Sequence, residues 1–196
     1  MSVRSWVICA VLFVVMIFAY DFLTKTPSRK FPSNHIAEVN ISTWVEFTSP
    51  DKAFKAKFPN IPQYATASDE APFASIAEKV SYQIYAAQAN DGSNYLVKMI
   101  RYPKPLSDDD QRVLFEEVQK DMLAHNPASS LASSKKATFM NVPSVDFVLV
   151  GPGYTIQSRI FYQDKVLYVL SVINRTGKAN TGTFDAFIKS FELHPQ

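Results

Sequence analysis

Apolar and polar positions follow three regimes along the chain. An unbroken apolar run opens at Trp6 and closes at Tyr20. Residues 24–42 then show no period and carry Pro27 and Pro32. From Trp44 onward, short segments either alternate with a period of two or recur at helical spacing, the two signatures of half-buried strands and amphipathic helices.

The alternating segments are strand candidates. Residues 44–48 open the series and turn at Ser49-Pro50-Asp51-Lys52, after which Phe54, Ala56 and Phe58 alternate with Lys55 and Lys57 until Pro59. Val80, Tyr82, Ile84 and Ala86 form a second alternation, and Asn90-Asp91-Gly92 turns it back into residues 95–102, the composition of a hairpin. Pro103 and Pro105 stop that strand. Further candidates are residues 136–140, 145–150, 154–162 and 166–173, joined in part by Gly151-Pro152-Gly153 and by a tight turn at Gln163-Asp164-Lys165. Residues 166–173 are apolar on both faces, so this strand belongs at the centre of a sheet with a layer on each side.

Two segments have helical spacing. Ser107 caps the first, Asp108, Asp109 and Asp110 favour its positive end, and Leu114, Phe115, Val118 and Met122 form one stripe. Glu116 and Lys120 form a supporting pair four residues apart, and His125-Asn126-Pro127 ends the helix. Thr183 caps the second, where Phe184, Phe187, Ile188 and Phe191 fall at i, i+3, i+4 and i+7. The polar stretch between helix and strand, with Ser129, Ser130, Ser133 and Ser134, reads as a loop. The expected fold is therefore α+β: a twisted, mainly antiparallel sheet sandwiched between helices, in one domain over residues 43–196, preceded by one membrane helix within residues 1–23 and a tether over residues 24–42.

The run from Trp6 to Tyr20 reaches roughly the shortest length that spans a bilayer, and its interfacial Tyr20 favours an anchor. The alternative is a cleaved export signal, with Arg4 ahead of the run and a cleavage point at Ala19. Lys25, Arg29 and Lys30 after the run would hold the body in the cytoplasm. The export-signal layout places it outside, and that is the expected side. Cys9, the sole cysteine, lies early in the run, so an intramolecular disulfide and a cysteine metal cage are excluded.

Charge and composition narrow the function. A net charge of +2 on 196 residues supplies no basic field of the kind nucleic-acid binders carry. His35, His125 and His194 are scattered over tether, helix end and C-terminus, which does not suggest a shared metal or catalytic centre. Asp108 to Asp110 lack the alternating ligands of a calcium loop, Gly151-Pro152-Gly153 lacks the Lys-Ser/Thr ending of a phosphate cradle, and no serine sits in a hydrolase elbow. Asn40 and Asn174 open glycosylation triplets that arise often by chance. No catalytic, cofactor-binding or metal residue is therefore expected, and no cofactor. Tyr82, Tyr85, Tyr95, Tyr102, Tyr154, Tyr162 and Tyr168 either pack in a core or line an apolar cleft. Arg101 and Arg159, each on a strand, either rim the sheet or engage an acidic partner.

Residues 47–62 at the domain's start, with the closing strand at Leu167 to Val172 and the pattern Phe184, Phe187, Ser190, Phe191, resemble extracytoplasmic domains of the PsbP-like family. That family includes the P subunit of the photosystem II oxygen-evolving complex and many bacterial relatives. The resemblance covers roughly residues 44–193 and implies an α-β-α sandwich with a non-catalytic accessory or assembly role. It carries no binding residue across, because the matching positions are turn and core residues. The leading expectation is a membrane-tethered accessory domain, not an enzyme, that docks onto a membrane or envelope protein. The alternative is a carrier or sensor of a small apolar ligand in an aromatic cleft between sheet and helix. An enzyme whose site is assembled from distant residues is a third.

Overall fold

A computed structural model describes residues 41–70, 79–175 and 179–194 of the chain. The run from Trp6 to Tyr20, with Cys9, most of the tether, His35 and Asn40, lies outside the described residues. No helix among the described residues is long and apolar enough to cross a membrane.

Strand is the predominant structure. A short 3-10 turn, Ile41–Thr43, leads into β1 (Val45–Thr48) and β2 (Phe54–Phe58), followed by β3 (Gln63–Glu70), β4 (Lys79–Gln88) and β5 (Asn94–Arg101). Helix α1 (Asp108–Ala124) precedes β6 (Ser130–Phe139), β7 (Val142–Gly151), β8 (Tyr154–Gln163) and β9 (Val166–Asn174), and α2 (Thr181–Lys189) precedes β10 (Glu192–Leu193). Seven strands form one antiparallel sheet in the order β3-β4-β5-β9-β8-β7-β6, and a separate sheet has the order β1-β2-β10.

The expectation of a single sheet between helices, an α+β sandwich, is corrected by this second sheet. α1 covers one face as expected, through Leu114, Phe115 and Val118 against Ile100, Phe147, Ile160 and Leu167. The other face is covered by β2 together with α2, through Phe54, Ala56, Phe58, Phe184 and Phe187 against Tyr85, Val97, Tyr168 and Leu170. The physical reason is the alternation in β2 itself. Its apolar side packs across a layer boundary onto the large sheet, while both edges pair with β1 and β10 instead of with the large sheet. The membrane helix placed ahead of the domain lies outside the described residues.

β9 is the fourth of seven strands and is buried along nearly its whole length, as a strand apolar on both faces must be. Its pairing with β5, Val97 opposite Leu170, joins two meanders into one sheet. Two-residue turns with both residues at positive φ, Met140-Asn141 and Asp164-Lys165, close the β6-β7 and β8-β9 hairpins with the twist that antiparallel strands favour.

Several boundaries differ from the sequence reading. The polar stretch read as a loop from Ser129 to Lys136 is, from Ser130 onward, part of edge strand β6, where exposure on one side makes polar residues neutral; its Ser134 Oγ donates to Gln119 Oε1 of α1 at 2.8 Å. β3 and β10 carry little apolar periodicity and were not expected. Asn180, rather than Thr183, caps α2, its side-chain oxygen accepting from the Thr183 amide at 3.1 Å. On α1, Lys120 pairs with Glu117 at 3.8 Å, not with Glu116. Ser107 caps α1 as expected: its Oγ accepts from the Asp110 amide at 3.2 Å and donates to the Asp110 carboxylate at 2.6 Å.

The layer between the sheets is aromatic. Phe187 contacts Trp44, Phe58 and Tyr95, and Phe191 lies flat on Phe54 at 5.2 Å and edge-on to Tyr168 at 5.7 Å. Beyond α2, Ser190 Oγ accepts from the Lys57 amide at 3.1 Å, tying the helix end to β2. Removing the fully buried Phe187 ring leaves a void that these neighbours fill only in part. Phe187→Ala is expected to cost about 3–5 kcal/mol, read by urea unfolding, whereas Val113→Ala on the exposed side of α1 stays within about 0.5 kcal/mol.

Candidate functional site

Alternation along the strands divides the tyrosines between the two faces of the large sheet. Tyr85, Tyr95 and Tyr168 enter the layer shared with the small sheet, and Tyr82, Tyr102 and Tyr162 enter the layer under α1. All six are buried. Tyr162 Oη accepts from the Leu106 amide at 3.1 Å, and half-buried Tyr154 shares a 2.6 Å hydrogen bond with Ser129. The structure therefore does not bring these seven residues together along one cleft.

What it does bring together is polar and lies at the rim between the layers. An open recess of about 800 Å³ is lined by Arg101 and Tyr102 at the end of β5, by Gln163, Asp164 and Lys165 at the β8-β9 turn, and by Leu193 and His194 after β10. Its walls are fixed by backbone bonds: the Tyr102 amide donates to Lys165 O at 2.8 Å, and the His194 amide donates to Ala53 O at 3.2 Å. Two atoms of lining residues, Gln163 Oε1 and His194 Nε2, are buried and make no hydrogen bond.

Behind the recess, Arg101 Nη2 donates to Asp51 Oδ2 at 3.2 Å. Asp51 comes from the turn between β1 and β2, a 50-residue separation that the layer packing closes. The turn is built by Ser49, whose Oγ accepts from the amides of Ala53 and Phe54 and donates to Asp51 Oδ1 at 2.7 Å. The Ala53 amide also donates to Asp51 Oδ1, at 3.2 Å. Burial works to raise the Asp51 pKa, but the Ser49 hydroxyl, the Ala53 amide, Arg101 and Gln83 outweigh it and hold the carboxyl below its ordinary value. Burial pushes the neighbouring Tyr168 hydroxyl up to about 12, with Arg101 opposing and Asp51 and Asp164 reinforcing.

The second strand arginine is in a different state. Arg159 Nε and Nη2 donate to the two oxygens of Asp146, both at 2.6 Å, and the guanidinium lies over the Phe139 ring at 4.9 Å. Such a bidentate, stacked arginine has one edge of its planar fork matched to both oxygens of a carboxylate. Arg101 has one hydrogen bond from the same fork.

The remaining candidates have structural partners. His125 Nδ1 lies 2.8 Å from Asp121 O, at the C-terminal end of α1. Asp109 pairs with Arg112 at 2.9 Å. Gly153 has φ +76, and a side chain on Gly151 would collide with the Tyr154 ring at 2.3 Å, so the Gly-Pro-Gly segment is a turn requirement. Asn174 is buried and hydrogen-bonded to Ser93 and Gln157. Among the described residues no group of three His, Cys, Asp or Glu side chains is arranged to hold a metal ion. Asp51, Gln163 and His194 were not expected at a site. Their meeting depends on which sheet each strand joins, and the only local signals were the Ser-Pro-Asp turn and Arg101 at a strand end.

No protein-family model matches the chain, and no curated protein sequence matches it. Among solved structures, the solution structure of cyanobacterial PsbP (CyanoP) from Synechocystis sp. PCC 6803 is similar, with a TM-score of 0.52 over 86% of this chain and 100% of that one, at 10% identity. The domain thus has a PsbP-like fold, in agreement with the resemblance read from its turn and core residues. At that identity the likeness shows the fold alone.

Because the Asp51 pKa is lowered in the native state, its stabilising contribution is complete above the ordinary value of 3.8 and disappears as pH falls through the lower native value. Thermal unfolding between pH 6 and pH 2 is expected to show a loss of stability at the acid end that Asp51→Asn makes shallower. Arg159→Gln is expected to cost about 1–3 kcal/mol by leaving a half-buried carboxylate unpaired. Arg101→Gln, at a more exposed single contact, costs less than about 1 kcal/mol in the same denaturation assay.

Proposed function

We propose that this protein is a membrane-tethered, non-catalytic accessory domain, with its body outside the cytoplasm, that docks onto a membrane or envelope protein. The observation that carries the proposal is the rim recess: an open, backbone-braced concavity whose lining includes Arg101, itself paired to Asp51. A surface of that kind suits recognition of a partner's polar groups. The run from Trp6 to Tyr20 is the segment that would anchor the chain, and residues 24–42, with two prolines, would hold the domain near the bilayer. The carrier reading draws less support, because six of the seven tyrosines fill two separate cores.

The full-length chain is expected to remain in the membrane pellet through an alkaline carbonate wash, and a chain starting at residue 43 to leave it. Crosslinking in intact cells, with a C-terminal tag, is expected to recover a defined membrane or envelope protein that a control carrying only residues 1–42 does not. Recovery of the uncrosslinked chain alone at full crosslinker would overturn the docking role.

A further inference from the structure

We propose that the corner formed by Val45, Ile61 and Tyr64 seats in the surface of the bilayer that holds the chain, an inference that rests on reading the run from Trp6 to Tyr20 as an anchor. Six large apolar side chains are exposed among the described residues, and these three are neighbours. Val45 pairs with Phe58 at the end of β2, and Pro59-Asn60-Ile61-Pro62 leads from there into β3. Tyr64 opposes Tyr85 of β4 and stacks on its ring at 4.9 Å; the same ring meets Phe47 of β1 at 5.5 Å. The corner is therefore the open margin of the aromatic layer between β1 and β3. Ile61, at 74% the most exposed of the six, forms its tip. That tip is held in place, because Asn60 Nδ2 donates to Gln88 O at 2.6 Å and Pro59 and Pro62 restrict the backbone beside it.

The chain enters the domain at this corner. Ile41 is the described residue nearest along the chain to Tyr20, and the twenty residues between them span at most about 75 Å in any conformation. The end of the domain that the chain delivers to the bilayer is thus the end that carries Val45, Ile61 and Tyr64. Residues 41–45 and 58–67 contain no Asp, Glu, Lys or Arg, so the corner enters an apolar interface without stripping water from a charge. Trp44 and Tyr64 are the aromatic types that favour the headgroup level. Three side chains are too few for a stable protein interface, which buries roughly 800 Å² on each partner. Lipid needs less, because a tether makes each encounter with the bilayer effectively intramolecular. The contact also sets direction. Gln88 pairs with Asn94 at the corner end of β5, and Arg101 of the rim recess lies at the other end of that eight-residue strand, about 24 Å away. A domain seated on the corner presents its recess on the side away from the bilayer.

The full-length chain, with Cys9→Ser so that one thiol remains for labelling, is reconstituted into phosphatidylcholine vesicles whose acyl chains carry a nitroxide quencher near the headgroup. A fluorophore is attached through Gln63→Cys, on the exposed residue between Ile61 and Tyr64, or through Pro103→Cys at the recess. The label at 63 is expected to be quenched and that at 103 to stay bright. Ile61→Asp, at a site too exposed to disturb the fold, should weaken the contact about tenfold and restore emission at 63. Val113→Asp, on the exposed side of α1, should leave the quenching unchanged. Sedimentation of the same samples reports the anchor separately. Equal quenching at both labels, quenching at neither, or a signal at 63 that survives Ile61→Asp overturns the lipid contact while a chain that still sediments with the vesicles leaves the anchor standing. A chain that stays in the supernatant sinks the anchor reading and the inference together. A change in emission at 63 that appears in native membranes and not in pure lipid makes the corner a protein-binding surface, which overturns the inference as well.

Discussion

The architecture depends on one constraint: β9 is apolar on both faces and must be covered on both. Val166, Tyr168, Leu170 and Val172 need one cover, and Leu167 and Val169 need another. α1 supplies the second with a single stripe. The first is broader, and α2 alone has four buried positions, so the N-terminal strands are folded over to complete it. Burial of this much aromatic surface is the dominant favourable term in the fold. The small sheet follows from the need to cover a face, and the rim recess follows from where that cover ends.

The parts of the fold legible in the sequence are those where a residue's environment is decided locally. The central position of β9, the extent of α1 and its Ser107 cap, and the hairpin at Asn90-Asp91-Gly92 all have local causes: two-faced apolarity, a stripe with a cap, and a turn dipeptide. What was illegible depended on partners distant in sequence. The alternation of Phe54, Ala56 and Phe58 says that one side of β2 is buried, but not against which layer, and that ambiguity hid the second sheet. The first half of β6 reads as a loop because an exposed edge strand places almost no apolar demand on its residues, whereas its second half was already legible as a strand from residues 136–140. The tyrosines looked like a set because they share a residue type. The pleat sorts them by parity into two interiors.

The site shows the same division. Arg101 and Arg159 are equivalent as strand arginines, and nothing in the residues beside them tells one from the other. Their difference lies across strands and layers: Asp146 sits directly opposite Arg159 on β7, whereas Asp51 reaches Arg101 from a turn in the other sheet. A directly opposed pair on adjacent strands permits two parallel bonds, while an approach from another layer gives one. The electrostatic character of the recess is thus a by-product of layer packing.

The pairing of β10 with β2 brings residues from the two ends of the domain side by side, Leu193 opposite Phe54. Every contact of β10, and those of Phe184, Phe187 and Phe191, is made by a segment that is synthesised after the other strands of this domain. Until those residues emerge, one whole face of the large sheet has only part of its cover, and the aromatic side chains of β2 lack their stacking partners. Closing contacts between such distant segments is slow, because the entropy of the intervening chain must be lost first. The aromatic layer of this domain is therefore complete only once β10 has paired with β2, and the surface left open until then is of the kind that promotes aggregation.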